Sequence, residues 1–175
     1  MKNRKLLKAT VIIIPVILTG LFIYLFLNFR KKKEKIEALK NIPVFSLKTI
    51  DNTLLTSKNL INEQSKVIIY FSPTCHYCQA EAEELSETYN KYKNIQWIWV
   101  ASEPIQEIKQ FASKNKLNNQ SNIFWCYDEM ATLYQKLGMN NVPYFLIYDK
   151  NNNLIKRNSG AIKLEKLVNI SDEKK

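Results

Sequence analysis

Cysteine and histidine are scarce in this chain, with three Cys and one His in 175 residues. Three cysteines are too few for a disulfide scaffold, and two of them, Cys75 and Cys78, form a single Cys-x-x-Cys. A lone Cys-x-x-Cys is half of a zinc site, and no second pair completes it, so no metal site is expected. No internal repeat appears. Nor does the folded part carry a basic patch interleaved with aromatics. The formal charge is +10, but residues 1–40 hold ten Lys/Arg against Glu34 and Glu37, and the other 135 residues hold sixteen against fourteen acids. Most of the excess belongs to the N-terminal segment, which sets nucleic-acid binding aside.

That segment is basic at both ends and apolar between. Residues 1–8 form a basic flank, and Ala9 to Phe29 run uncharged for about the 20 residues that a bilayer-spanning helix needs. Pro15 and Gly20 are tolerable in lipid, and Tyr24 lies toward one interface. A cleaved signal peptide is the competing reading, but its apolar stretch would be about 7–15 residues and end in small residues, whereas this one ends Leu27-Asn28-Phe29-Arg30. Residues 30–41 read as a charged helical stalk, either a solvated spacer or a patch for anionic lipid. The charge rule alone mildly favours a cytoplasmic C-terminal part.

From residue 42 one domain of about 130 residues is expected, ending near residue 170 before a short tail at 171–175. Phe45–Leu47 and Leu54–Thr56 flank Asp51-Asn52 as a hairpin. Val67–Phe71 is an apolar strand covered on both faces, and Ile95–Ala101 is a second. Ser102 is read as the cap of a helix over 105–115 with Pro104 in its first turn. Ile123–Trp125 is a brief strand, Asp128 caps a helix over 129–137, and Gly138 stops it. Tyr144–Tyr148 and Leu154–Asn158 form a hairpin, and a helix over 163–170 closes the chain. Strands separated by helices, then a hairpin and a last helix, predict an α/β fold with a mixed central sheet and helices on both faces. Trp97, Trp99 and Trp125 alternate with apolar residues and read as core.

Chemistry concentrates in Val67 to Glu84. The strand meets a Ser72-Pro73 break and opens into Cys75-His76-Tyr77-Cys78 at a helix start. A cysteine there faces unpaired backbone amides and the positive end of the helix dipole, which favour thiolate. Cys75 is therefore the expected nucleophile and Cys78 the resolving thiol of a reversible dithiol, with no cofactor beyond that redox-active pair. At 100° per residue Ala82, Leu85, Tyr89 and Tyr92 fall within about 40° of Cys78, while Glu83, Glu84 and Glu87 fall on the far side. Glu81, about 60° from the stripe centre, is expected at its edge as a partly buried carboxylate exchanging a proton with Cys78. His76 has either an electrostatic role beside the thiolate or none. Cys126, between Trp125 and Tyr127, reads as a buried thiol.

The segments Pro43–Leu47, Phe71–Glu81 and Gly138–Tyr148, holding the Cys-x-x-Cys, the Glu three residues on and a later Val142-Pro143, resemble the membrane-anchored TlpA/ResA group of thioredoxin-like thiol–disulfide oxidoreductases. The resemblance covers about residues 42–170. It implies a thioredoxin-like fold, a cis peptide at Val142-Pro143 facing the dithiol, a Glu81 that tunes the cysteines, and a domain on the extracytoplasmic, periplasmic side of the cell membrane. Substrate contacts are expected at Val142, Pro143, His76 and Tyr77. Departures are visible: Ile69 replaces the buried Asp of cytoplasmic thioredoxins, Thr74 replaces the usual Trp, and Ala82-Glu83 stand where a Pro is usual.

The resulting expectation is a single-pass protein in the lipid bilayer that reduces oxidised protein thiols and draws electrons from a membrane or envelope donor. A copper-binding chaperone using Cys75, Cys78 and His76 is the alternative from another class. Peroxide reduction is weakened, because the Pro73-Thr74 spacing is not that of a peroxidase loop.

Overall fold

A computed structural model describes residues 2–172. Met1 of the basic flank and residues 173–175 of the expected tail lie outside the described residues. Two units divide the chain, at 1–37 and 38–175. The first is one helix, α1 (Lys2–Ala38), which continues through Pro15. Within it Ile13–Lys31 is long and apolar enough to cross a membrane, with mean hydropathy 1.9 and none of it buried.

The second unit is a seven-stranded mixed sheet with the elements β1 (Ser46–Thr49), β2 (Leu54–Thr56), β3 (Ser65–Tyr70), α2 (His76–Thr88), β4 (Ile95–Ala101), α3 (Ile105–Lys114), β5 (Ile123–Tyr127), α4 (Thr132–Leu137), β6 (Tyr144–Tyr148), β7 (Leu154–Ser159) and α5 (Leu164–Asp172). The strand order is β2-β1-β5-β4-β3-β6-β7. β3 runs parallel to β4 and antiparallel to β6, and β4 runs parallel to β5. This is an α/β fold with a mixed sheet, as the strand-and-helix pattern predicts, and it is thioredoxin-like, as the resemblance implies.

Alternation along the strands builds two cores. Val67, Ile69, Trp97, Trp99, Trp125 and Phe145 face α2, α3 and α5, whereas Ile68, Tyr70, Ile98, Val100, Cys126 and Leu146 face α4. The first core is aromatic. Trp99 stacks on Trp125 with centroids 5.1 Å apart, and Phe71 meets Trp99 edge-on at 5.3 Å and Phe111 at 4.8 Å. Such pairs add about 0.5–1.5 kcal/mol each beyond their burial.

Several boundaries differ from the sequence reading. Ser102 does not cap α3; Pro104 occupies the N-cap with no side-chain bond, and Glu107 and Ile108 donate to its carbonyl instead. Asp128 does cap a helix, but α4 begins only at Thr132, because residues 128–131 first make a turn closed by Ala131 N–H to Asp128 O. The Asp128 carboxylate reaches across that turn to accept from the Thr132, Leu133 and Tyr134 amides, from Thr132 Oγ1 and from Tyr70 Oη. Gly138, left-handed at φ 64°, ends α4 as expected. α2 stops at Thr88, so Tyr89 and Tyr92 belong to a following 3₁₀ turn; Tyr92 is buried and Tyr89 half-buried. α5 extends to Asp172, so residues 171–172 are helical.

Asp128→Ala would remove the acceptor of the buried Tyr70 hydroxyl and leave the Leu133 amide unpaired. It is expected to cost on the order of 2–4 kcal/mol, with Asp128→Asn costing less. All three tryptophans lie in the core, so denaturant unfolding followed by tryptophan fluorescence measures it.

Candidate active site

The dithiol stands where β3 runs out. Phe71 still donates to Val100 O at 2.9 Å, and the chain then turns at Ser72-Pro73-Thr74, closed by Cys75 N–H to Ser72 O at 3.1 Å. Gln79 Nε2 braces the turn from inside α2 by donating to Pro73 O at 2.9 Å. Cys75 is the N-cap of α2, and its carbonyl accepts the first helical bond from Gln79 N–H at 3.0 Å. Its sulfur therefore lies at the positive end of the helix dipole.

Register explains what faces that sulfur. β3 and β6 pair antiparallel with Tyr70 opposite Tyr144, so the residues after Tyr70 and those before Tyr144 leave the sheet at the same end. The half-buried Cys75 accordingly directs its thiol at Val142 O, 3.7 Å away. The Val142–Pro143 peptide is cis, and Gly160 N–H holds the Pro143 carbonyl at 2.8 Å. Ser159 Oγ ties the same loop to β7 through Asn141 Oδ1 at 2.5 Å.

Cys78, one turn along α2, is fully buried, and both thiols are free. Burial pushes the Cys78 thiol well above its usual range, and the neighbouring Cys75 and Glu81 charges add to the rise. One further turn along, Glu81 is 4% exposed, deeper than the edge position its helical angle predicts. The loop before α5 covers it, and Glu81 Oε1 accepts from Ile162 N–H at 2.7 Å. Glu81 Oε2 is buried and has no hydrogen-bond partner among the described residues. Burial pushes this carboxyl up to about 7; the Ile162 bond opposes the rise and the Glu84 charge adds to it.

The remaining sequence candidates separate. His76 and Tyr77 are both exposed, with their rings 6.0 Å apart on the first turn of α2. Cys126 is fully buried on the opposite face of the sheet from Cys78, and burial raises its thiol to about 12, so it takes no part in this site. Glu84 was expected on the far face of α2. It is half-buried, and its Oε1 accepts from Leu164 N–H at 3.1 Å. Helical periodicity alone did not reveal this contact, because it depends on where α5 docks. No grouping of three or more His, Cys, Asp and Glu suited to a metal occurs among the described residues.

Residues 39–158 match the AhpC/TSA family. The chain belongs to the AhpC/TSA family. No curated protein matches it. Among solved structures it is similar to a secreted Mycobacterium tuberculosis disulfide oxidoreductase homologous to E. coli DsbE, at 18% identity and TM-score 0.63, covering 78% of this chain and 98% of that one. StoA from Bacillus subtilis shares 18% identity at TM-score 0.58, covering 73% and 96%. The peroxidoxin BcpB from Mycobacterium tuberculosis shares 11% at TM-score 0.66, covering 77% and 96%. At these identities the structural likenesses establish the fold. Family and fold together make the chain a thioredoxin-like thiol–disulfide oxidoreductase.

A raised carboxyl also predicts how stability depends on pH. Glu81 binds its proton more tightly folded than unfolded, so its contribution is fully present below about pH 4.5 and is lost as pH rises through about 7. The native protein should lose on the order of 3 kcal/mol of this term across that window. In Glu81→Gln that component should be missing, as denaturant unfolding at pH 4.5, 6 and 8 would reveal.

Proposed function

We propose that this protein is a membrane-anchored reductant of the TlpA/ResA type that reduces disulfides of extracytoplasmic proteins through a Cys75–Cys78 dithiol. The supporting observation is the half-buried Cys75 thiol 3.7 Å from the carbonyl beside the cis Val142–Pro143 bond, with the buried Cys78 and Glu81 behind it. The Cys75 thiolate attacks one sulfur of the substrate disulfide, forming a mixed disulfide and releasing the other substrate sulfur as thiolate. Cys78 then gives up its proton and attacks Cys75 Sγ. The second substrate thiol leaves, and two electrons have passed from the dithiol to the substrate. The unpartnered Glu81 Oε2 is the group suited to receive the Cys78 proton. An envelope or membrane dithiol donor then reduces the Cys75–Cys78 disulfide.

In the substrate complex, the backbone of Val142 would pair with an extended peptide, and the exposed His76 and Tyr77 would form the neighbouring contact surface. The apolar span Ile13–Lys31 supports the anchoring, and residues 30–37 would serve as its stalk; the stalk ends earlier than the sequence reading has it, because Leu39 is buried in the domain core and Lys40 O accepts from Leu154 N–H.

Cys75→Ser should reduce disulfide-reductase activity to the uncatalysed background, while Cys78→Ser should accumulate mixed disulfides with substrate, visible by non-reducing electrophoresis. Retained activity in Cys75→Ser would overturn the reading. A reporter fused after Asn41 that is active only in the cytoplasm would overturn the location.

A further inference from the structure

Glu81 is not the only carboxylate tied to the segment before α5. Glu81 and Glu84 lie one helical turn apart on α2, and each takes one backbone amide of the same short stretch, Ile162 N–H at 2.7 Å and Leu164 N–H at 3.1 Å. Two acids on adjacent turns, both turned inward, repel one another. Glu84 accepts from the first residue of α5 and Glu81 from the residue two positions before it, so the two carboxylates are held by one short stretch of backbone.

Resting on the reading of Glu81 given above, we propose that Glu84 is a positioning residue for the dithiol chemistry: pinned to Leu164 N–H, its charge governs the proton occupancy of Glu81, and through it the pH at which Cys78 can be deprotonated. The groups that face the pair are few. Cys78 and Glu84 flank Glu81 on its own helix, and the backbone at Ile162 covers it. Tyr92 feels both Glu84 and Glu165, the latter from α5, and Lys163 at the start of that helix is exposed. Glu84 is thus the charged side chain whose influence on Glu81 is direct. Burial supplies most of the rise that brings the Glu81 carboxyl toward the operating range, and the Glu84 charge adds to it.

The test uses the full-length chain in detergent micelles. Two quantities are followed against pH: the Glu81 side-chain carboxyl ¹³C shift, assigned by its loss in Glu81→Gln, and the rate of disulfide reduction. Glu84→Gln removes the charge and keeps an oxygen for Leu164 N–H; Glu84→Ala serves if the Gln variant does not fold. The expected result is that the Glu81 titration midpoint and the corresponding inflection of the rate profile both move to lower pH, by about 0.2–0.4 unit. In a Glu81→Gln background the same substitution should move nothing, and Glu83→Gln, on the exposed face, should leave both curves in place. A Glu81 midpoint unchanged in the Glu84 variant, with the rate profile still responding to Glu81→Gln, overturns this inference alone. A rate profile indifferent to Glu81→Gln overturns the role of Glu81 and this inference with it.

Discussion

The antiparallel pairing of β3 with β6 is the constraint on which the site depends. Cys75 and Val142 are 67 residues apart in the chain, and they meet because Tyr70 and Tyr144 are partners at the end of two neighbouring strands. A slip of one residue would exchange the faces of β6 and carry Phe145 out of the aromatic core. β3 is held against such slippage from both sides, by β4 in parallel and β6 in antiparallel register. Its residues Val67–Tyr70 are buried, with Trp97 and Trp99 of β4 in register with Val67 and Ile69. The wall of Phe71, Trp99, Phe111 and Trp125 thus does more than fill the interior. It fixes the point at which the chain leaves the sheet, and with it the position of the first cysteine.

Burial then divides the two cysteines by role. Cys75 is half-buried at the helix mouth, within reach of a partner, whereas Cys78 is sealed and its thiol is held protonated by desolvation. Such an asymmetry suits a dithiol whose first sulfur engages a partner and whose second responds only afterwards. It also creates a requirement, since a sealed thiol must lose its proton to something equally sealed. Glu81, the fully buried carboxyl of α2, is raised toward neutrality by that burial.

Much of this was legible in the sequence because it is written in short-range signals. The apolar run of β3, the β-branched and aromatic run of β4 and the hydrophobic β6 were recognisable as strands, and the left-handed Gly138 ended its helix as Gly should. Signals that depend on tertiary placement were read less well. The sequence marks Asp128 as a cap but not the first residue of its helix, since a carboxylate can reach across a turn that no periodicity marks. Ser102 had the composition of a cap and lacked the geometry. Glu81 was placed at a helix edge and Glu84 on the solvent side, because angular position on α2 does not reveal that the segment preceding α5 folds over both.

The contrast between the two buried acids bears on why only one of them suits proton transfer. Asp128 engages both oxygens: Oδ1 accepts from the Thr132 amide and hydroxyl, and Oδ2 from Tyr70 Oη and the Leu133 and Tyr134 amides. With both oxygens engaged, this carboxylate ties the start of α4 to Tyr70. Glu81 engages one oxygen and leaves the other buried and unpartnered beside a thiol that must be deprotonated. An unsatisfied buried oxygen is costly to keep, and Glu81 Oε2 is the one that lies on α2 one turn beyond Cys78.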